Sequence, residues 1–523
     1  MKFREDHFMA KWDAIVVGAG NGGLSAALTL ANSGMKTLLI EKHNVPGGFA
    51  TSFRRGRFEF EASLHELSSY GNVPGMGNVR QMFEELGIDD KIEWCIIPDA
   101  YRMITLSDTE RIDAIMPFGI SNYIERMEKY SPGSRKSMER LFALGKELHD
   151  SEDFLGNINS VNPSLVKSVL SDHLNFVRIA PYSVNEVLDT MDIPKRARDI
   201  FGAYWCYLGV DLNNMSFIHY MELVMRYISF GAICAKGRSH EISCAFQERF
   251  EELGGETRFN SFVDNIVTYN GRAVGVHIKG KKEIEYADVI VCNAAPHNIV
   301  GKLLDPKDVP EKLIRKTNSR VFSGRGTTMF LGLDKSPDEL GINEHCYMIY
   351  DSADTVDQVS SMANIESNNA QATCCLNRAV PDCSPEGTTI LYFTTLYTTD
   401  CWGKIREEDY LDTKRFVADK FIDNFELATG TKIRDSIEEI AVATPVTYAR
   451  YTDAPQGVIY GYSGEKWDGI VSRSLMQSYE DIMPGLYYVG GYGAQLLGFG
   501  SSYTSGYDTA KRIIKSGEGS DER

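Results

Sequence analysis

The spacing of a few glycines and one acid carries the first chemical information in this chain. Gly18-Ala19-Gly20-Asn21-Gly22-Gly23 matches G-x-G-x-x-G, and Glu41 closes the next apolar run. These residue types in this order suit a dinucleotide. Gly18 permits a tight turn, Gly20 lets a pyrophosphate approach the backbone, and Gly23 lets a helix pack closely on a sheet. The Glu41 carboxylate is placed to accept both hydroxyls of an adenosine ribose, and it disfavours a 2′-phosphate.

The elements that must hold these residues are legible around them. Residues 13–17 form a short apolar run with β-branched side chains and read as a buried strand. Residues 24–31 have helical spacing and good helix formers, and they stop at Asn32-Ser33-Gly34. Residues 36–41 read as a second strand. The helix N-terminus then offers unpaired N–H groups and a positive dipole end to phosphate. A second glycine pair, Gly47-Gly48, follows the acid, and a simple NAD-binding fold has no need of it. Five glycines recur between residues 490 and 500, after a short strand at 487–489. That density argues for close backbone approach to something flat. A helix is expected from about Ser501 to Lys515, with Ser501 or Ser502 as its N-cap.

Taken in order, these segments resemble the phytoene desaturase, carotenoid isomerase and retinol saturase group of FAD-dependent oxidoreductases. Residues 41–48 are similar to its E-K-x-x-x-P-G-G, and Phe58-Glu59-Phe60-Glu61 to the strand that follows. The same holds for Lys236-Gly237-Arg238, for the L-G-G-E turn at 253–256, and for the hairpin and strand at 271–276 and 287–294. Residues 444–461 and 485–490 resemble the family's approach to its last FAD segment. The similarity covers most of the chain and is weakest near 85–225 and 335–440. Two departures stand out. Phe49 follows the glycine pair where the family often has Arg, and Glu61-Ala62-Ser63 replaces an acid-x-Gly, leading to Leu64 and His65. A histidine here resembles the retinol saturase branch.

The resemblance implies an α/β fold with a discontinuous, Rossmann-like FAD-binding domain of amine-oxidase type. That domain would take residues 1–75, 228–300 and 460–523. Residues 76–227 would form a helical cap and 301–459 a mixed-sheet substrate domain. FAD contacts are implied for Gly18, Gly20, Asn21, Gly22, Gly23, Glu41, Lys42, Gly47, Gly48, Phe49 and Ala50. They are implied also for Val263, Asn293, Ala294, Gly490, Gly491, Gly500, Ser501 and Ser502. The closing helix would aim its N-terminus at the flavin edge that becomes negative on reduction.

The reaction implied is saturation, desaturation or isomerisation of a double bond in an isoprenoid, retinoid, carotenoid or fatty lipid. Flavin N5 would exchange a hydride while a second group handles a proton. His65 and Glu66, after the strand at 58–61, and Tyr503, in the closing helix, are the candidates for that proton. Stretches at 204–207, 215–221 and 225–227 are rich in aromatic residues and methionine. By composition alone they read as core between helices, but the resemblance implies that they line a long apolar tunnel. Two other readings stay open: a flavin amine oxidase, with Tyr487, Tyr488 and Tyr492 as an aromatic cage, and a non-enzymatic prenyl- or lipid-binding protein of the same fold.

Bulk properties narrow the partners. With 72 acidic against 55 basic side chains the net charge is −17, which disfavours nucleic acid. The ten cysteines contain no CxxC pair, and no histidine stands at zinc-ligand spacing from Cys374, Cys375 and Cys383. Free thiols in a reducing compartment, and no metal, are therefore expected. The first residues lack a secretory apolar core, and the apolar stretch 217–234 is interrupted by His219, Glu222 and Arg226. A cytoplasmic protein is expected, at most peripheral at a membrane surface. With no second G-x-G-x-x-G, electrons would pass between FAD and a diffusible donor or acceptor. Residues 364–370 read as an exposed loop.

Overall fold

The computed structural model describes residues 10–63, 65–71, 77–107, 111–156, 167–168, 171–468, 481–493 and 498–517. Leu64, and Leu496 and Leu497 within the late glycine run, lie outside them. The first strand, Trp12–Val17, pairs in parallel with Thr37–Ile40 on one side and with the later half of Ile284–Cys292 on the other. Ala14, Ile15 and Val16 are fully buried, as a strand covered on both faces requires. From one edge the sheet runs Val263–Tyr269, Arg272–Ile278, Ile284–Cys292, Trp12–Val17, Thr37–Ile40 and Glu256–Arg258. Leu486–Tyr488 joins it in parallel beside Ile290–Cys292, with Asp481–Met483 antiparallel to it. Distant parts of the chain thus share one sheet.

The helix Asn21–Asn32 leaves the first strand through Gly18 and is buried from Gly22 to Ala31. It is covered by Arg238–Glu252 and by the closing helix Phe499–Ser516. The closing helix can approach because two glycines face each other. A Cβ added at Gly506 would lie 2.1 Å from the Gly22 carbonyl oxygen. This helix begins earlier than its serines suggest. Gly498, at φ 101°, is the N-cap and has no side chain to offer, and the Ser502 hydroxyl donates back to the Gly498 carbonyl at 2.8 Å. Neither serine caps the helix, because the left-handed turn at glycine already starts it.

The second sheet has seven strands, in the order Ile437–Ala443, Arg325–Leu333, Thr389–Tyr397, Gln371–Cys375, Cys346–Tyr350, Tyr101–Thr105 and Asp113–Met116. Segment 76–227 therefore contributes two strands to this sheet as well as helices. Its helices Arg135–Gly156 and Phe217–Phe230 pack together. Two of the polar interruptions of the second helix pair internally: Glu222 lies 3.0 Å from His149 Nδ1 and 3.4 Å from Arg226 Nε. Among the described residues no helix is long and apolar enough to cross a membrane. Segment 364–370 is only partly exposed. Asn368 is buried and donates to Thr395 Oγ1 at 3.0 Å and to the Leu396 carbonyl at 2.8 Å, so a polar side chain here acts as a peg in the fold.

The glycine contact between helices gives a direct test. Gly506→Ala is expected to destabilise the protein by about 1–3 kcal/mol through overpacking, read as a lowered Tm. A Tm equal to that of the parent protein contradicts the close approach.

Candidate active site

A cavity of about 590 Å³ runs between the two sheets. One end is walled by Gly18, Gly20, Asn21, Gly22, Glu41, Lys42, Gly47, Gly48 and Phe49, together with Val263, Asn293, Ala294, Gly490, Gly491 and Ser502. The glycines are there because side chains have no room. A Cβ on Gly20 would lie 2.6 Å from the Asn293 amide group, and one on Gly22 would lie 2.8 Å from Gly490 Cα. With its amide oriented to suit both neighbours, Asn293 donates to the Val489 carbonyl at 2.9 Å and accepts from Gly20 N–H at 3.3 Å. Glu41 accepts from Ala19 N–H at 2.7 Å and from His43 N–H at 2.8 Å, which fixes its carboxylate at the strand end. Lys42 pairs with Asp453 at 2.6 Å.

Four residues expected at the cofactor lie off this wall. Gly23 faces the sheet, where an added Cβ would meet the Gly18 carbonyl at 1.9 Å. Ala50 is fully buried, with its carbonyl accepting from the Ser243 hydroxyl. Gly500 faces the Val79 side chain, and Ser501 is likewise absent from the wall. The first two shape the groove from behind.

The other end of the cavity is a chamber formed by Thr328, Tyr350, Thr394 and Leu396 from the seven-stranded sheet, with Trp205, Cys206 and Tyr207 from the cap. The aromatic and methionine stretches therefore divide. Residues 205–207 reach the chamber, whereas Met215, Tyr220, Met221 and Met225 are core. The carboxylates on the cavity wall are Glu41, Asp264 and Asp453. Each is engaged, by backbone N–H groups, His277 or Lys42 respectively. Tyr488 and Tyr492 also reach the wall but Tyr487 does not, and the Tyr488 oxygen accepts from Tyr492 N–H at 2.8 Å.

The three proton-handling candidates separate. His65 is on the wall, its ring stacked 4.6 Å from that of Tyr392. Burial pushes its imidazole down to about 3, so it is neutral, and its Nδ1 has no hydrogen-bond partner. Glu66 lies behind the wall, buried, and burial pushes its carboxyl up to about 8. The Tyr207 hydroxyl meets Glu66 Oε2 at 3.2 Å, while Oε1 lies 3.7 Å from Nε2 of His345. Tyr503 is not at the cavity. Its ring lies flat against Phe246, 5.1 Å away, and edge-on to Phe83, because its face of the closing helix turns into the core.

The sequence placed Tyr207 only in a stretch suited to an apolar tunnel and gave Cys346 no role. Cys346 sits directly opposite Cys374 across a strand pair, and one ligand atom from each lies within 4.8 Å of the others and of Glu66. Strand register makes this cluster, and no sequence spacing announces it. All ten cysteines are free thiols.

A glycine-walled groove assembled from both chain ends, opening into a chamber beneath a mixed sheet, defines a flavin-dependent oxidoreductase of α/β type. The chain belongs to the family of flavin containing amine oxidoreductases, whose profile matches residues 22–514. Its cofactor is FAD. It is 28% identical over 487 residues to an all-trans-retinol 13,14-reductase of Danio rerio, covering 86% of this chain and 77% of that protein. It is 22% identical over 469 residues to a chloroplastic prolycopene isomerase of Daucus carota, covering 86% and 72%. Among solved structures, putrescine oxidase bound to putrescine matches with a TM-score of 0.63 at 14% identity, over 96% of this chain and 99% of that one. An oxidoreductase from Methanosarcina mazei matches with a TM-score of 0.63 at 12% identity, over 95% and 99%. These structural likenesses concern the fold.

Removing the Glu41 carboxylate would strand two backbone N–H groups at the groove. Glu41→Ala is expected to weaken FAD retention by about ten- to a hundredfold, the worth of charge-assisted hydrogen bonds. Flavin absorbance after gel filtration measures this, and full retention contradicts it.

Proposed function

We propose that the protein reduces a carbon–carbon double bond in an apolar polyene of retinoid or carotenoid type. One observation carries this reading: the dinucleotide groove continues into a chamber whose polar groups are neutral, while the wall carboxylates are already engaged. A hydrocarbon gains from such a chamber, and an ammonium ion finds no spare carboxylate in it. The names of the relatives, retinol 13,14-reductase and prolycopene isomerase, agree with a conjugated polyene.

In this reading Glu41 holds the adenosine ribose. Gly20, Asn21 and Gly22, at the tip of the helix Asn21–Asn32, hold the pyrophosphate. Gly47, Gly48 and Phe49 follow the ribityl chain, and Gly490, Gly491 and the N-terminus of the closing helix face the isoalloxazine. Bound FAD supplies a hydride. His65 is a neutral hydrogen-bonding group on the wall rather than the proton donor, because its imidazolium is too acidic to persist at neutral pH. A diffusible two-electron donor reduces the cofactor, and the substrate is collected from a membrane surface, where such lipids partition.

An anaerobic experiment tests this. Chemically reduced holoenzyme is mixed in turn with retinoids, carotenoids, unsaturated fatty acids and amines, while flavin absorbance is followed. A retinoid or carotenoid is expected to reoxidise the flavin and to leave as a product with one double bond fewer. Failure of every polyene, with reduction of the oxidised form by amines, overturns the proposal in favour of amine oxidation.

A further inference from the structure

We propose that Tyr207 donates the proton to the reacting carbon and that Glu66, buried behind it, reloads the phenol. The assignment rests on the double-bond reading above. Tyr207 does two things at once: it stands on the chamber wall, and its hydroxyl meets Glu66 Oε2 at 3.2 Å. Two other wall phenols, Tyr350 and Tyr448, meet carbonyls and a hydroxyl, none of them acidic enough to reload a phenol. Tyr350 donates to the Ala203 carbonyl at 2.7 Å, and Tyr448 to the Ala62 carbonyl and to Thr328 Oγ1.

His65 and Glu66 are neighbours in the chain, and their side chains take opposite sides of the wall. One reaches the cavity and the other enters the packing behind it. The groups that face Glu66 there are the phenols of Tyr204, Tyr207 and Tyr227, the thiols of Cys206, Cys234, Cys346 and Cys374, and the imidazole of His345. All are neutral near pH 7: burial pushes His345 down to about 4 and raises the phenols and the Cys206 and Cys234 thiols, while the hydrogen bond between Cys346 and Cys374 raises Cys346 with help from burial, and Cys374 stays raised despite that bond. Glu66 Oε1 has no hydrogen-bond partner, which suits a neutral carboxyl and not a carboxylate. Glu66 thus keeps its proton up to about pH 8, close to the optimum for an acid working near neutrality.

The balance of the step is simple. A hydride from reduced FAD brings one hydrogen and an electron pair to the first carbon. The π pair of the double bond then takes the Tyr207 proton at the second carbon, and the broken O–H pair stays on the phenol oxygen. A phenolate is costly there. With Glu66 protonated on Oε2 the 3.2 Å hydrogen bond runs from carboxyl to phenol, which turns the phenol proton to the chamber, and the Glu66 proton crosses that bond in the same event. Water reprotonates the Glu66 carboxylate after product leaves. Tyr207 is the catalytic residue, and Glu66 is a positioning and proton-storing residue that acts through it.

Tyr207→Phe and Glu66→Gln preserve size, and each is loaded with FAD, reduced with dithionite and mixed anaerobically with all-trans-retinol in H2O and D2O. Tyr207→Phe is expected to slow single-turnover reduction by about 10²–10⁴-fold, with retinol affinity little changed. The parent rate should fall above about pH 8, and Glu66→Gln should be slower and lose that limb. In the resting parent protein, without turnover, infrared spectra should show a protonated carboxyl band that disappears above about pH 8 and is missing in Glu66→Gln. Parent-like reduction by Tyr207→Phe, or a Glu66 already ionised at pH 7, overturns the assignment while leaving the double-bond reading intact. A parent protein that reduces no polyene overturns both. Should Glu66→Gln fail to fold, Tyr207→Phe and the parent's infrared titration decide the matter.

Discussion

The active-site groove exists because the two ends of the chain are clamped to each other through Asn293. Its amide bridges Gly20 at the start of the first helix and Val489 at the end of the last strand. Gly22 and Gly490 touch beside it, and Gly506 lies on Gly22 from the other side. No large side chain could occupy these positions without parting the segments. The glycines usually explained by a ligand's approach are thus needed first for the protein's own closure. The groove that remains is what the close packing of three backbones leaves uncovered.

Charge is sorted along the cavity by the same packing. The groove end carries Glu41, Lys42, Asp264, Lys302 and Asp453, and its carboxylates meet backbone N–H groups, the Lys42 ammonium or the His277 ring. At the chamber end, burial without a charged partner decides protonation instead. It neutralises His65 and His345 from above their pKa and Glu66 from below. The separation fits one elongated site to two kinds of chemistry, a polar dinucleotide at one end and hydrocarbon at the other. It also makes the chamber's few protons the scarce reagent.

What the sequence disclosed follows from the range of the interactions involved. Gly18 to Glu41 is a local unit, and each of its residues serves a purpose within about thirty positions, so its motif could be read without a structure. The closing segment was legible as a glycine run, yet its helix starts at Phe499 and not at a serine, because Gly498 turns the chain by its backbone alone. Tyr503 illustrates a different limit. Its place in a helix near the flavin segment was legible, but helix rotation is set by Phe83 and Phe246, which belong to other parts of the chain. The strands Tyr101–Thr105 and Asp113–Met116 were hidden for a similar reason, since they complete a sheet whose other strands lie far along the sequence.

Tyr207 and Cys346 mark the deepest of these limits. Each is an ordinary residue in an apolar stretch, with nothing at characteristic spacing around it. Their significance arises when the turn Gly202–Tyr207, the strand Cys346–Tyr350 and the segment after Glu61 converge on one carboxyl group. A carboxyl so placed is expensive to ionise, and an apolar residue of similar shape would remove that cost. Retaining it is easier to understand as function than as stability. The adjacent His65 meets the cavity while Glu66 does not, so the sequence pair His65-Glu66 forms the wall and its reservoir rather than two interchangeable acids.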